Sequence, residues 1–263
     1  MTFETRFALK YIRYFLQSDT AHAVHSPFVF SFIEEILHDK RTFYSFKAIE
    51  KIRQALLSDN HPIKITDMGA GSSLQKPAER RVCDIARSAA KSSKYCKLLF
   101  RLVNYFQPET ILELGTSLGI SAAYMASAHS NARLFTLEGS DTVAEIASET
   151  FQQLNLDHSQ IIIGNFDDTL APVLMQIPKL DMAFIDGNHR KEPTLRYFSQ
   201  CLTKAHNDTI LIFDDIHWTE DMEEAWETIK ANSAVTLTID LFFLGLVFLK
   251  KEFKEKQHFV LRY

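Results

Sequence analysis

Cysteine, proline and glycine are scarce in this chain of 263 residues, which holds three, seven and eight of them. Cys83, Cys96 and Cys201 lie far apart and form no CxxC pair. That spacing argues against a disulfide framework or a cysteine zinc site and leaves free thiols. Nothing in the composition suggests collagen, disorder or a coiled coil. Long apolar runs are missing as well. The longest, Leu241 to Leu249, has nine residues, against the roughly 20 a membrane helix needs, so no span is expected. The opening MTFETRFALKYIRYFLQ mixes charge with apolar residues and shows neither a continuous apolar stretch nor a small-residue cleavage site. A cytoplasmic protein is the expectation.

With 46% hydrophobic and 24% charged residues the composition is that of an ordinary globular protein. At about 150 residues per domain, the length suits one large α/β domain or one domain with an extension. The formal net charge of −4 hides an asymmetry: residues 1–101 carry 17 Lys and Arg against 10 Asp and Glu, and the remainder 12 against 23. The overall acidity lacks the basic footprint of a nucleic-acid binder.

From residue 110 onward, short apolar runs alternate with helical patterns, the signature of βαβ units and a parallel sheet. Strands are expected at 110–115, 133–139, 160–165, 180–186, 209–215, 234–240 and 244–250. Helices are expected near 119–129, 141–154, 168–175, 191–203 and 219–231. Only Leu241 to Phe243 separate the last two strands, too few for a crossover, so these must be antiparallel neighbours. The first hundred residues read as amphipathic helices near 4–17, 28–38, 45–57, 78–91 and 94–106, with Pro27, Pro62 and Pro77 at boundaries. A helical cap, 1–108, therefore precedes a sheet domain, 109–263. Many of the 21 phenylalanines fall in the cap, where aromatics at helical spacing form core or a homodimer interface. The tail from 251 either adds a short strand or lies on the surface.

The segment ILELGTSLGIS sets Glu113, Gly115 and Gly119 between an apolar strand and a helix. Glycines allow a sharp turn and a close approach to a ligand, and the helix amino terminus offers free N–H groups. About 20 residues on, Glu138 ends the next strand, where it can accept hydrogen bonds from ribose hydroxyls. GTSLG does not fit the GxGxxG dinucleotide fingerprint, and no Walker-type lysine follows. A second stretch, ITDMGAGSS with Asp67, Gly69 and Gly71, lacks both a following helix and a later acid, and reads as a loop or structural turn.

The turn and its acid resemble motif I and the ribose-binding acid of the class I S-adenosylmethionine (SAM)-dependent methyltransferases, over about residues 109–250. The resemblance implies an α/β fold with a Rossmann-like, seven-stranded, mostly parallel sheet and an antiparallel last strand. It implies that Glu113, Gly115, Thr116, Ser117 and Gly119 surround the methionine and ribose of SAM, and that Glu138 binds the ribose. After the third strand, Asn165, Phe166 and Asp167 are the implied adenine contacts; Asp168 is equally readable as a helix cap.

Two further strand ends carry chemistry: IDGNHR, with Asp186, His189 and Arg190, and FDDIHW, with Asp214, Asp215, His217 and Trp218. In open α/β sheets the carboxyl ends of strands form the ligand crevice. Acids gathered there repel unless a cation or proton sits among them, and three carboxylates suit an oxygen-ligated ion such as Mg²⁺. The cluster resembles the metal-dependent O-methyltransferases of the catechol and macrolide-sugar type. That resemblance implies Asp186, Asp214 and Asp215 as metal ligands and His189, with Asp186, as the catalytic pair acting on a small hydroxylated acceptor. Arg80, Asp84, Arg87, Lys91 and Lys94, at steps of three or four, form a mainly cationic helical face suited to an anionic or carrier-bound acceptor. His22 and His25 alone are weak evidence for a metal. An NAD(P)-dependent oxidoreductase would share the turn and the acid, and a non-catalytic cofactor-binding module would keep both.

Overall fold

The computed structural model describes residues 3–20, 24–65 and 78–263; Asp67, Gly69, Gly71 and His22 lie outside them. The chain opens with α1 (Phe3–Gln17), α2 (Pro27–Phe32) with a π-helical turn at Ile33–Leu37, and α3 (Tyr44–Ser58). Next come β1 (Pro62–Ile65), β2 (Ala78–Arg81), α4 (Val82–Ser88), α5 (Ser93–Phe106), β3 (Thr110–Leu114), α6 (Ile120–Ala128) and β4 (Arg133–Glu138). After them run α7 (Asp141–Leu154), β5 (Ser159–Ile163), α8 (Phe166–Gln176), β6 (Leu180–Ile185), α9 (Lys191–Leu202) and β7 (Ala205–Asp214). Last are α10 (Glu220–Ala231), β8 (Leu237–Asp240), β9 (Leu244–Phe248) and β10 (Gln257–Val260). The elements fall into two compact units, residues 38–176 and residues 1–37 with 177–263.

In the unit 38–176, β3, β4 and β5 pair in parallel, with Glu113 opposite Thr136. Every residue of β3 is buried, as expected of a strand covered on both faces. The run YCKLLFRLVNYF in α5 places Cys96, Leu98, Leu99, Leu102 and Val103 with no exposed surface. α6 is built from Ala122, Ala123, Tyr124 and Ala126, all fully buried, and small side chains let it lie close to its neighbours. The expected helix at 78–91 is corrected at its start: 78–81 pair antiparallel with 62–65 as a β-ribbon. The helix ends at Ser88 and the next begins at Ser93, so the cationic face is not continuous.

In the other unit the strand order is β10-β8-β9-β7-β6. β6 and β7 are parallel, β9 is antiparallel to both β7 and β8, and β10 runs parallel to β8. The antiparallel pair at 234–250 is therefore as expected, while the tail adds a strand beyond the seven. Gly245 of β9 passes under α10 so closely that a Cβ there would meet the Trp226 ring at 2.7 Å. Trp226, Phe213 and Phe248 are among the large side chains of this core with almost no exposure.

Candidate active site

β3 ends in a turn whose backbone is left-handed at Gly115 (φ 102°), Ser117 (φ 47°) and Gly119 (φ 80°). The Gly115 and Thr116 N–H groups both donate to the Leu137 carbonyl, at 3.0 and 3.1 Å, which fixes the turn against β4. A Cβ at Gly119 would lie 3.1 Å from Phe151 and 3.2 Å from Ala147. Glycine is thus needed there both for its dihedral and for close packing on α7. Glu138, at the end of β4, accepts the Ser117 N–H at 2.8 Å and the Ser140 N–H at 3.0 Å. Each of its two oxygens is held by a backbone donor.

The hydroxyl of Ser117 is buried and has no hydrogen-bond partner among the described residues. A buried polar atom left unpaired costs free energy, so an orphan at a glycine turn marks a place where a ligand completes the bonding. The residues fit the ribose and methionine portions of SAM.

Glu113 stands differently from its neighbours. It has no exposed surface, and its oxygens accept hydrogen bonds from Ser121 Oγ at 2.6 Å and Thr136 Oγ1 at 2.5 Å. Thr116 and Thr136 hydroxyls lie 2.6 Å apart and extend the network. Burial pushes the Glu113 carboxyl up to about 7, with the two hydroxyl donors opposing and the Glu138 charge reinforcing the shift. Glu113 therefore braces the turn from beneath. Ser121, Thr136 and Ser140 were not singled out by sequence; the signal for Thr136 was a polar residue in mid-strand, directly opposite Glu113 in the parallel register.

After β5, Asn165 caps α8: its side-chain oxygen accepts the Asp167 N–H at 3.0 Å and its carbonyl accepts those of Asp168 and Thr169, each at 3.0 Å. The cap thus falls on Asn165 rather than Asp168. Phe166 is half-buried, and Asp167 and Asp168 are exposed.

In the other unit, β6 runs into the IDGNHR loop. Asn188 is left-handed at φ 54° and its side-chain oxygen accepts from Arg190 Nε at 2.9 Å. The loop brings His189 Nε2 to 3.6 Å from Asp186 Oδ1, with both side chains part-exposed. A cavity of about 450 Å³ opens beside His189, walled by Phe7, Lys10, Arg190, Trp218 and Asp221. Trp218 is 41% exposed and meets the edge of Phe7 with ring centroids 5.3 Å apart. Neither Phe7 nor Lys10 carried a sequence signal for the site; α1 supplies both.

Asp214 is the buried last residue of β7, paired with Leu244. Asp215 has left the strand in a left-handed turn (φ 52°), donating its N–H to the Phe243 carbonyl at 2.7 Å. The two adjacent carboxylates thus belong to different local structures. Among the described residues no group of three or more His, Cys, Asp or Glu side chains is arranged to hold a metal ion. Asp186, Asp214 and Asp215 do not assemble the Mg²⁺ set that the resemblance implied. His217 is also occupied elsewhere: Nε2 lies 2.7 Å from Asp240 and Nδ1 3.2 Å from Glu223, with the ring stacked on Phe242.

Residues 112–216, which take in the glycine turn, match the model of a methyltransferase domain family. The chain is 33% identical over 123 residues to a catechol O-methyltransferase of Niastella koreensis, covering 46% of this chain and 55% of that protein. It is 30% identical over 129 residues to a catechol O-methyltransferase of Mycobacterium tuberculosis, covering 48% and 57%. It therefore spans a little over half the length of these curated relatives. Among solved structures, an O-methyltransferase from Bacillus cereus in complex with SAH superposes with a TM-score of 0.57 at 20% identity, over 84% of this chain and 96% of the other. The SAM complex of the O-methyltransferase TomG from Streptomyces achromogenes gives 0.53 at 24%, over 61% and 82%.

Proposed function

We propose that this chain is a SAM-dependent O-methyltransferase whose acceptor is a small hydroxylated molecule, a ring diol of the kind named in its catechol O-methyltransferase relatives. The observation that carries the proposal is the Ser117 hydroxyl, buried and unpartnered among the described residues, in a left-handed glycine turn whose backbone clamps Glu138. In this reading Gly115, Thr116, Ser117 and Gly119 hold the methionine and ribose, Glu138 takes the ribose hydroxyls, and Asn165, Phe166 and Asp167 border the adenine. When bound, SAM supplies an electrophilic methyl on a sulfonium. His189 takes the acceptor's hydroxyl proton. Its Nε2 faces Asp186, which leaves Nδ1 as the accepting atom and lets the carboxylate stabilise the imidazolium that forms. Phe7 and Trp218 wall the acceptor, and holding it against the base supplies much of the remaining acceleration. A cytoplasmic location belongs to the same proposal, in keeping with three free thiols.

The test is transfer of labelled methyl from SAM to a panel of catechols and phenols, with Mg²⁺ and with excess chelator. His189→Ala is expected to lower kcat about 100-fold or more while leaving SAH affinity nearly unchanged. An equal loss of cofactor affinity contradicts the assigned role. Activity is expected to persist in chelator; activity lost there and restored by Mg²⁺ would return a metal to Asp186, Asp214 and Asp215.

A further inference from the structure

α1 is apolar on two faces. On its inner face Phe7, Tyr11 and Tyr14 surround Phe242 with ring centroids 5.0 to 5.2 Å apart, Tyr11 remaining 40% exposed, and Lys10 reaches Glu223 at 2.7 Å. On the opposite side, Leu9, Ile12 and Leu16 recur at steps of three and four, which aligns them in one stripe. They are 50%, 53% and 77% exposed, with Phe15 43% exposed beside them. A helix apolar all round is ordinarily buried, and a contiguous exposed apolar patch marks a place where something docks.

Cations edge the stripe. Arg6 and Arg13, two turns apart, lie along one side. On the other, the Arg262 guanidinium sits 3.9 Å from the centroid of the Phe15 ring. Arg6 also pairs with Glu220 at 3.7 Å, but both side chains are largely exposed, and such a pair is weak and exchangeable. Glu4 is the only acid within the helix.

We propose that α1 seats this protein on the surface of an anionic phospholipid bilayer, with Leu9, Ile12, Phe15 and Leu16 at the acyl boundary and Arg6, Arg13 and Arg262 at the phosphates. The charge pattern selects this occupant. A second copy laid antiparallel along the same stripe would set Arg6 of one chain beside Arg13 of the other, like charges offset there only by Glu220, the exposed partner of Arg6. Among the described residues no helix is long and apolar enough to cross a membrane, so the attachment is to the surface.

The experiment is co-flotation of the full chain with vesicles of phosphatidylcholine alone and of phosphatidylcholine with phosphatidylglycerol, alongside sedimentation without lipid. Partition onto the anionic vesicles is expected to be on the order of 100-fold stronger than onto neutral ones, and to weaken as salt rises. The double variant Ile12→Ser/Leu16→Ser changes only exposed positions; it is expected to keep its Tm and lose at least about tenfold in partition. Arg13→Glu is expected to weaken binding to the anionic vesicles alone. Equal partition onto both vesicles, none onto either, or binding that survives the double variant overturns the proposal. A dimer in the absence of lipid that the double variant dissociates, without vesicle binding, gives the stripe to a second copy instead.

Discussion

Glu113 carries the residue-scale consequence most open to measurement. Its carboxyl, raised by burial to about 7, holds a proton in the folded chain over a range where the unfolded chain has released it. The folded state then binds more protons between about pH 4.5 and 7, so stability attributable to Glu113 is full below the unfolded value and lost as pH rises through the folded one, by about 3 kcal/mol in all. Glu113→Gln keeps the shape and removes the titration. The stability of the variant relative to wild type is expected to increase from pH 5 to pH 8 in parallel denaturant titrations; a constant difference would mean that Glu113 is ionised throughout. The sequence placed an acid at this position but not its burial, because a strand-end carboxylate reads alike whether it faces a ligand or the hydroxyls of Ser121 and Thr136. Glu138 was more legible, since its distance from the glycine turn fixes where the next parallel strand ends.

At the scale of elements, α1 shows how a local pattern and its tertiary use can part. Amphipathicity over 4–17 predicted the helix, yet nothing local indicated that Lys10 would reach the His217 carbonyl and Glu223, residues more than 200 positions away in the chain. The imidazole of His217 sits in the same group. Burial alone would lower its pKa, but the hydrogen bonds and charges of Asp240 and Glu223 outweigh it and hold the group above its ordinary value. A raised folded value for a base means stability that is full below about pH 6.5 and lost as pH climbs through the folded value. His217→Gln keeps the backbone carbonyl for Lys10, so the Tm gap to wild type is expected to be wide at pH 6 and to narrow by pH 9. A gap independent of pH would show that the ring is not held as a cation.

The three-residue link from β8 to β9 was legible from length alone. Phe242 at φ 68° was not: an aromatic in the left-handed region is uncommon. It is held there by its N–H donating to Asp240 Oδ1 at 2.8 Å and by the rings of Phe7, Tyr11 and Tyr14. The ribbon of β1 and β2 is not legible locally for a related reason: AERR carries no alternation, and its strand character comes from pairing with 62–65.

For the whole molecule, strand spacing and the helical crossovers made the α/β class readable, since periodicity switches visibly between two and 3.6 residues. The division into compact units did not follow from composition, because residues 1–37 belong with 177–263, and such long-range packing leaves no local trace. The turn at 115–119 with Glu138 is proposed to bind the SAM-type nucleoside rather than a dinucleotide. Calorimetric titration with SAH and, separately, with NAD(H) tests it directly. A Kd in about the micromolar range for SAH and no heat for NAD(H) are expected; binding of NAD(H), or of neither, would overturn the assignment.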